Sequence, residues 1–444
     1  MTHDIAYRTA PTDVHATLGK WMLVDGLPIV YDPAASRGYT VVDSRTGDEY
    51  LDLFSFFASM PVGHNHPGLA DEGFRARLLA AALVKPSNSD IYTQPMADFV
   101  AAFGRTLPAE FVHTFFIEGG ALAVENALKV AFDWKVRKNI AAGRCPDTNE
   151  PTLGTKILHF EGAFHGRSGY TLSLTNGTSP AKTKYFPKFD WPRVSTPGCH
   201  FPVDLARVEA AEAASVAEIE AVFGAHPHDV AAIIVETILG EGGDIHLRPA
   251  FLAKLRQLCD THEALLIFDE VQAGMGLTGN WWAFSGLGVT PDIFAFGKKS
   301  QVCGIAATAR VDEVESCFKV SSRINSTWGG NLADMVRCTR YIEIIEQEDL
   351  VGNAARVGEI FGERLAHLAD RYTVISNVRG RGLMRAFDLP DPATRDSLAR
   401  ALTRHKVLGL TAGSRSLRFR PVLDFDEAGV DLSIDRLRAA LGEL

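Results

Sequence analysis

Between about residues 70 and 320, short continuous apolar runs alternate with longer amphipathic stretches. Apolar runs bounded by turn residues read as strands buried on both faces. Their alternation with helix-like segments reads as βαβ units around a mostly parallel sheet. The pattern predicts strands at 114–117, 156–160, 230–235, 264–268, 293–296 and 305–309, interrupted by polar, Gly- and Pro-rich loops at 141–154 and 193–203. Two of the runs end in charge: 264–268 stops at Asp269 and Glu270, and 292–296 stops at Gly297, Lys298 and Lys299. Ligands of open α/β sheets bind outside the carboxyl ends of the strands, so one crevice would receive both an acid and an amine.

The two ends of the chain have a different rhythm. A polar leader and a short helix at 14–18 precede strand-like pieces at 29–31, 39–42 and 50–53, set apart by Arg37-Gly38 and Thr46-Gly47-Asp48. These predict a small antiparallel sheet. From 332 to 369 the spacing predicts a long amphipathic helical region. An apolar piece at 372–375, a turn and strand at 378–384, a helix near 392–405 and a strand at 416–420 follow it. The expected fold class is α/β: a large domain over 70–330 with a mostly parallel sheet, and a small α+β domain. The N-terminal segment 1–69 would pack with the small domain, which residues 331–444 complete.

Composition narrows the chemistry. The 444 residues are 46% hydrophobic and 22% charged, a globular balance. A net charge of -9 argues against a broad basic surface for nucleic acid or acidic lipid. Cys145, Cys199, Cys259, Cys303, Cys317 and Cys338 show no close pair or metal-like spacing. They read as reduced thiols of a cytoplasmic protein. The leader lacks the apolar core of a signal peptide, and no stretch approaches the ~18 apolar residues of a membrane span.

Two local patterns are set aside. His64 and His66 alternate in GHNHPG, but a zinc site needs three or four ligands, and Pro67 with two glycines marks a turn. They read as polar loop histidines, and no metal site is expected. The RGRG at 379–382 is a single occurrence flanked by strand residues, and it reads as a turn, not as an arginine-glycine nucleic-acid segment.

Four stretches carry candidate chemistry. In FIEGGALAVENALK, 116–129, a strand gives way to Gly119-Gly120 and a helix beginning at Ala121, and backbone N–H groups at such a start bind phosphate. In EGAFHGRSGYTLSLTN, 161–176, Phe164, His165 and Arg167 sit in a Gly-rich loop, Arg167 being suited to clamp a carboxylate. VETILGEGGD, 235–244, places Glu236 and Glu241 at another strand end, and RFRPVL, 418–423, supplies Arg418 and Arg420. Each alone is equally a plain turn, surface loop or solvated acid. Together they match the needs of pyridoxal phosphate: a phosphate nest, an aromatic face, a carboxylate for the ring nitrogen and an amine for a Schiff base. Gly119-Gly120-Ala121, Phe164, Asp269 and Lys298 fill those roles.

FDEVQAGMG at 268–276, with FGKK, GHNHPG, EGGALAVENALK and NSTWGGN at 325–331, resembles the class III (ornithine and ω-amino acid) aminotransferases. The resemblance covers nearly the whole chain and implies the aspartate-aminotransferase fold, fold type I of the pyridoxal-phosphate enzymes. Within the family KPSNSDIY at 85–92, EGAFHGRSGYTLSLTN, KFDWPR at 188–193, AFGKKSQVCG and NSTWGGN are most similar to members that take the ε-amino group of L-lysine.

The resemblance implies residue roles. Lys298 is the Schiff-base lysine, and Lys299 is a structural or solvent-facing neighbour. Asp269 pairs with the pyridinium nitrogen, Gln272 lies near the phenolic oxygen, and Phe164 stacks on the ring. Gly120 and Ala121 bind the phosphate. Thr327, with Asn325 nearby, reaches the phosphate of a partner subunit, so a homodimer with composite sites is implied. For substrates, Arg167 clamps the far carboxylate and Arg420 the one beside the keto carbon of 2-oxoglutarate. Glu241 neutralises Arg420 while lysine is bound, and Glu236 completes the substrate set.

Thr237 and Leu239 stand where relatives have proline and glutamine, and Ala273 where they have threonine, so a less polar site is expected. Ornithine, γ-aminobutyrate or another terminal amine is the alternative donor. A nicotinamide oxidoreductase would share the parallel sheet, but no G-x-G-x-x-G follows the first strand and Lys298 would have no role.

Overall fold

A computed structural model describes residues 7–444, so the first six residues of the polar leader lie outside the described residues. The central seven-stranded sheet runs in the order Phe111–Ile117, Cys303–Thr308, Ile293–Phe296, Leu265–Asp269, Val230–Glu236, Lys156–Phe160, Arg193–Val194. Cys303–Thr308 is antiparallel to both neighbours, and the other pairs along the row are parallel. The six strands expected in this sheet are present, with ends shifted by a few residues. The two-residue strand Arg193–Val194 lies at the start of a stretch expected to be a loop; it is too short to leave a periodic signal.

The apolar runs are continuous because both faces of the sheet are covered. Leu266, Phe268, Phe294 and Phe296 pack on one side with Phe99, Phe103, Phe251 and Trp282. Leu265, Ile267, Ile293 and Ala295 pack on the other with Ala123, Val124 and Ala127 of the helix Gly120–Ala141. Successive residues alternate between the two cores, as the period of two requires. The register sets Asp269 beside Glu236 on one neighbour and Ala295 on the other, so three strand ends come level.

The ends of the chain meet. Thr40–Val42 and Glu49–Asp52 form a hairpin, and the third strand of that sheet is Val407–Leu408, parallel to Glu49–Asp52. The expected strand at 29–31 is absent; only Tyr31 bridges, to Asp43. Pro28 and Pro33, which lack an N–H, bracket that piece, while a partner some 350 residues downstream takes the free edge. Ser376–Arg381, Met384–Asp388, Ser416–Phe419 and Leu410–Ala412 form a four-stranded antiparallel sheet. Residues 372–375 form the turn leading into it, with the Ile375 N–H bonded to Tyr372 O at 2.9 Å.

The helical region from 332 is two helices, Leu332–Gln347 and Leu350–Arg371. It breaks at Asp349, which is left-handed at φ 47° and caps the second helix by accepting from the Gly352 N–H. The GHNHPG histidines are buried, not loop-exposed. His64 Nε2 lies 3.0 Å from Asp52 and its Nδ1 3.0 Å from the Tyr31 hydroxyl. His66 accepts from the Gly68 N–H at 3.1 Å, capping the short helix Pro67–Ala70.

Candidate active site

A cavity of about 580 Å3 opens outside the strand ends. Its wall includes Gly120, Ala121, Phe164, Arg167, Glu236, Asp269, Gln272 and Lys298. Eight of the twelve residues expected at the site are thus brought together.

Lys298 follows directly on the strand Ile293–Phe296 and Gly297. Its backbone is left-handed, φ 55°, a region costly for a residue with a Cβ. Burial holds its amine below the usual lysine range, with Arg418 and Arg420 pushing the same way and Asp269 and Glu236 opposing. More of the amine is therefore free base near neutrality. Lys299 is wholly buried and donates to Ala58 O at 2.9 Å, which makes it structural, not solvent-facing.

Asp269 is fixed from two sides. One carboxylate oxygen accepts the Val271 N–H at 3.0 Å, and the other lies 2.8 Å from Nδ1 of the buried His165. Its neighbour Glu270 turns into the scaffold, accepting the Ala283 and Phe284 N–H groups at 2.7 and 3.2 Å. Burial pushes the Glu270 carboxyl up to about 7.

The phosphate nest follows from local geometry. Gly119, at φ 96°, caps the helix Gly120–Ala141 with no side-chain bond, leaving the helix start free at the cavity wall. A Cβ on Gly120 would come within 3.0 Å of Val271, so the strand-to-helix turn needs glycine there. Glu236 accepts from the Phe164 N–H at 2.9 Å and the Gly240 N–H at 3.0 Å, tying the aromatic loop to the sheet. Burial raises its carboxyl to about 7.

The remaining four expected residues lie outside this wall. Asn325 and Thr327 are exposed on a loop that packs against the 85–92 run, Asn88 donating to Gly330 O at 3.0 Å and Ser89 to Ser326 O at 2.5 Å. The expected pairing of Glu241 with Arg420 is not made. Arg420 is fully buried, with Nη2 2.5 Å from Asp244. Glu241 pairs with Lys182 and lies 3.7 Å from Arg418 Nη2. Gln272 Oε1 accepts from both arginines, at 3.0 Å from Arg418 and 3.2 Å from Arg420.

Residues two apart on a strand share a face, so the sequence alone could not separate Arg418 from Arg420. Asp244, three residues beyond Glu241 in GEGGD, is the signal that one arginine has its own acid. His165 was visible beside Phe164, but its bond to Asp269 spans 104 positions. Thr237, Leu239 and Ala273 are buried and absent from the cavity wall, so the departures they represent change packing and not the polarity of the wall.

The donor set fits pyridoxal phosphate. The free helix start suits a phosphate, and Phe164 offers a face. Asp269 is fixed but retains acceptor capacity, Lys298 is a half-buried amine, and the His165 Nε2 in the wall is a buried polar atom without a partner among the described residues.

The sequence profile of the family Aminotransferase class-III matches residues 23–441. An L-lysine-epsilon aminotransferase of Mycobacterium tuberculosis is 54% identical over 438 residues, covering 98% of this chain and 96% of its own length. The L-lysine-epsilon aminotransferase of Amycolatopsis lactamdurans is 48% identical over 437 residues, 97% of this chain and 95% of its own. The solved lysine aminotransferase of M. tuberculosis in the internal aldimine form superposes with a TM-score of 0.95 at 52% identity, covering 98% of this chain and 100% of that one. With the strand-end acid and amine set in the same cavity, these similarities show that the chain belongs to the class-III aminotransferases.

Proposed function

We propose that the chain transfers the ε-amino group of L-lysine to 2-oxoglutarate, giving L-glutamate and 2-aminoadipate 6-semialdehyde, which cyclises to a piperideine carboxylate. As a class-III aminotransferase it is a pyridoxal-phosphate enzyme. When bound, that cofactor supplies an electrophilic carbon that exchanges amino groups and a protonated ring that withdraws electrons. Lys298 holds the cofactor and, once displaced, moves the proton between carbon atoms as base and then acid, a role its lowered pKa favours. Asp269, oriented by His165, keeps the ring nitrogen protonated. The helix start at Gly120 and Ala121 holds the phosphate, Phe164 covers the ring, and Gln272 meets its edge.

The observation that carries the substrate reading is the Glu241–Arg418 juxtaposition beside a cavity that also contains Arg167. Lysine presents one carboxylate, far from its ε-amine, for Arg167. Arg418 then has Glu241 as its neutralising neighbour. 2-Oxoglutarate presents a second carboxylate beside the keto carbon, which Arg418 binds while Glu241 keeps Lys182 as its partner. This reading gives Arg418 the role expected for Arg420.

The reading divides the chain into a cofactor-binding part, 70–330, and a smaller part built from 1–69 and 331–444, supported by the pairing of Val407–Leu408 with Glu49–Asp52. It further includes a homodimer in which Thr327 and Asn325 serve the partner's phosphate. The exposed Leu83, Val84, Ile91, Tyr92 and Trp328 around that loop support such an interface. Among the described residues no helix is long and apolar enough to cross a membrane, and the six cysteines are free, in keeping with a cytoplasmic setting.

The purified protein should be yellow, bleach on addition of lysine and recover with 2-oxoglutarate. Bleaching by ornithine or γ-aminobutyrate but not by lysine would overturn the donor. Elution as a monomer in size-exclusion chromatography would overturn the composite site.

A further inference from the structure

A second cleft, about 490 Å3, shares no lining residue with the catalytic cavity. It lies between the start of the helix Pro249–Thr261, the turn at 278–280 and the tip of the hairpin that joins Ser376–Arg381 to Met384–Asp388. The RGRG turn thus forms one wall, and the catalytic reading gives it no task.

The two arginines in its lining are treated unequally. Arg248 pairs with Glu212 at 2.6 Å, as Arg379 and Arg385 outside the lining pair with Asp388 at 2.8 Å and Glu359 at 2.7 Å. The side chain of Arg381, half-buried in the same cleft, has no hydrogen bond or ion pair to any of the described residues, and the one group raising its pKa is the Cys199 thiol. Glu359, the carboxylate in the lining, is engaged by Arg385.

Two further polar groups in the lining are unpartnered. His246 and Thr278 are only 5% and 6% exposed, and His246 Nε2 and Thr278 Oγ1 have no partner among the described residues. Burial keeps His246 neutral, its pKa pushed down to about 3, so the ring can donate from Nε2 as a neutral imidazole. The helix Pro249–Thr261 begins at the cleft but adds no donor of its own there, since Pro249 lacks an N–H and the Phe251 and Leu252 N–H groups bond to Arg248 O. Buried polar groups are ordinarily paired, and a desolvated guanidinium without an acid is costly. A cation, a hydroxyl and a neutral ring N–H in one lining match the chemistry of an oxyanion.

We propose that this cleft is a second binding site, taking a small oxyanion, carboxylate or phosphate, with Arg381 as its charged anchor and Thr278 and His246 as donors. Its walls come from the central sheet's loops and from the C-terminal sheet, so a bound anion ties the two together and stabilises the native state.

The test is calorimetric titration of the cofactor-loaded enzyme with inorganic phosphate and, separately, malonate. One of the two should bind saturably, and the tighter identifies phosphate or carboxylate as the ligand class. Arg381→Gln should weaken binding about tenfold or more, Arg381→Lys less, and Thr278→Val about threefold. Arg418→Gln, which alters the cluster beside the catalytic cavity, should leave it unchanged. In crystals soaked with selenate, anomalous density should sit at Arg381. The inference is overturned if neither anion binds saturably, if Arg381→Gln binds like the parent, or if Arg418→Gln abolishes the signal.

Discussion

The catalytic cavity and the charged cluster beside it are built to different rules. At the cofactor end Asp269 is pinned by His165 and a backbone N–H, and Glu236 spends both oxygens on backbone N–H groups. Beside the cavity Glu241 stands between Lys182 and the buried Arg418, with its side chain 19% and that of Lys182 32% exposed. On the proposed reaction, groups that do the same task in both half-reactions are locked, while Glu241, which would serve a monocarboxylate and then a dicarboxylate, has two available partners.

That contrast can be broken most severely at the locked end. Lys298→Ala should lower turnover on the order of 10^4-fold or more and remove the absorption band of the bound cofactor, both read spectrophotometrically. Asp269→Asn should cost about 10^3-fold in both half-reactions, and His165→Phe about tenfold through the same carboxylate. Equal effects on the lysine and 2-oxoglutarate halves are the signature of this end.

The arginine pair sharpens the boundary. Arg420→Gln strips Asp244 of its buried partner and should destabilise the fold by about 3–5 kcal/mol in denaturant titrations. Arg418→Gln, equally buried but leaving Glu241 its pairing with Lys182, should cost less stability than Arg420→Gln while slowing the 2-oxoglutarate half-reaction about 10- to 100-fold, with the lysine half within a few-fold of the parent. The reverse assignment of losses would return the dicarboxylate role to Arg420.

Glu270 tests how far the scaffold reaches. Its folded pKa, raised to about 7, exceeds the ordinary 4.5, so the native state keeps a proton that the unfolded chain releases. Stability from this group is therefore greatest below pH 4.5 and falls as pH rises toward 7, by up to about 3 kcal/mol in total. Glu270→Gln should flatten that slope, measured as unfolding free energy at pH 5 and 7.5. The smallest effect belongs to Lys182→Ala, worth about 1 kcal/mol or less because the pair is partly solvated, and confined to discrimination between the two substrates.

The sequence displayed what local pattern encodes. Strands buried on both faces advertise themselves as unbroken apolar runs, and the chemical groups at their ends were legible with them: Asp269, Lys298 and the glycines at 119–120. What it hid was pairing at a distance. The bond of His165 to Asp269, the choice between Asp244 and Glu241 as the acid for Arg420, and the strand Val407–Leu408 that completes the N-terminal sheet all join residues far apart or equivalent in spacing. The break at Asp349 was missed because apolar periodicity continues across it while one capping residue interrupts the backbone.

The left-handed backbone of Lys298 also bears on heat resistance. A glycine at that position would relieve the strain and should raise the melting temperature, while ending catalysis. Selection for a hardier protein therefore cannot use one of its simplest routes, and gains in thermostability have to accumulate elsewhere in the chain.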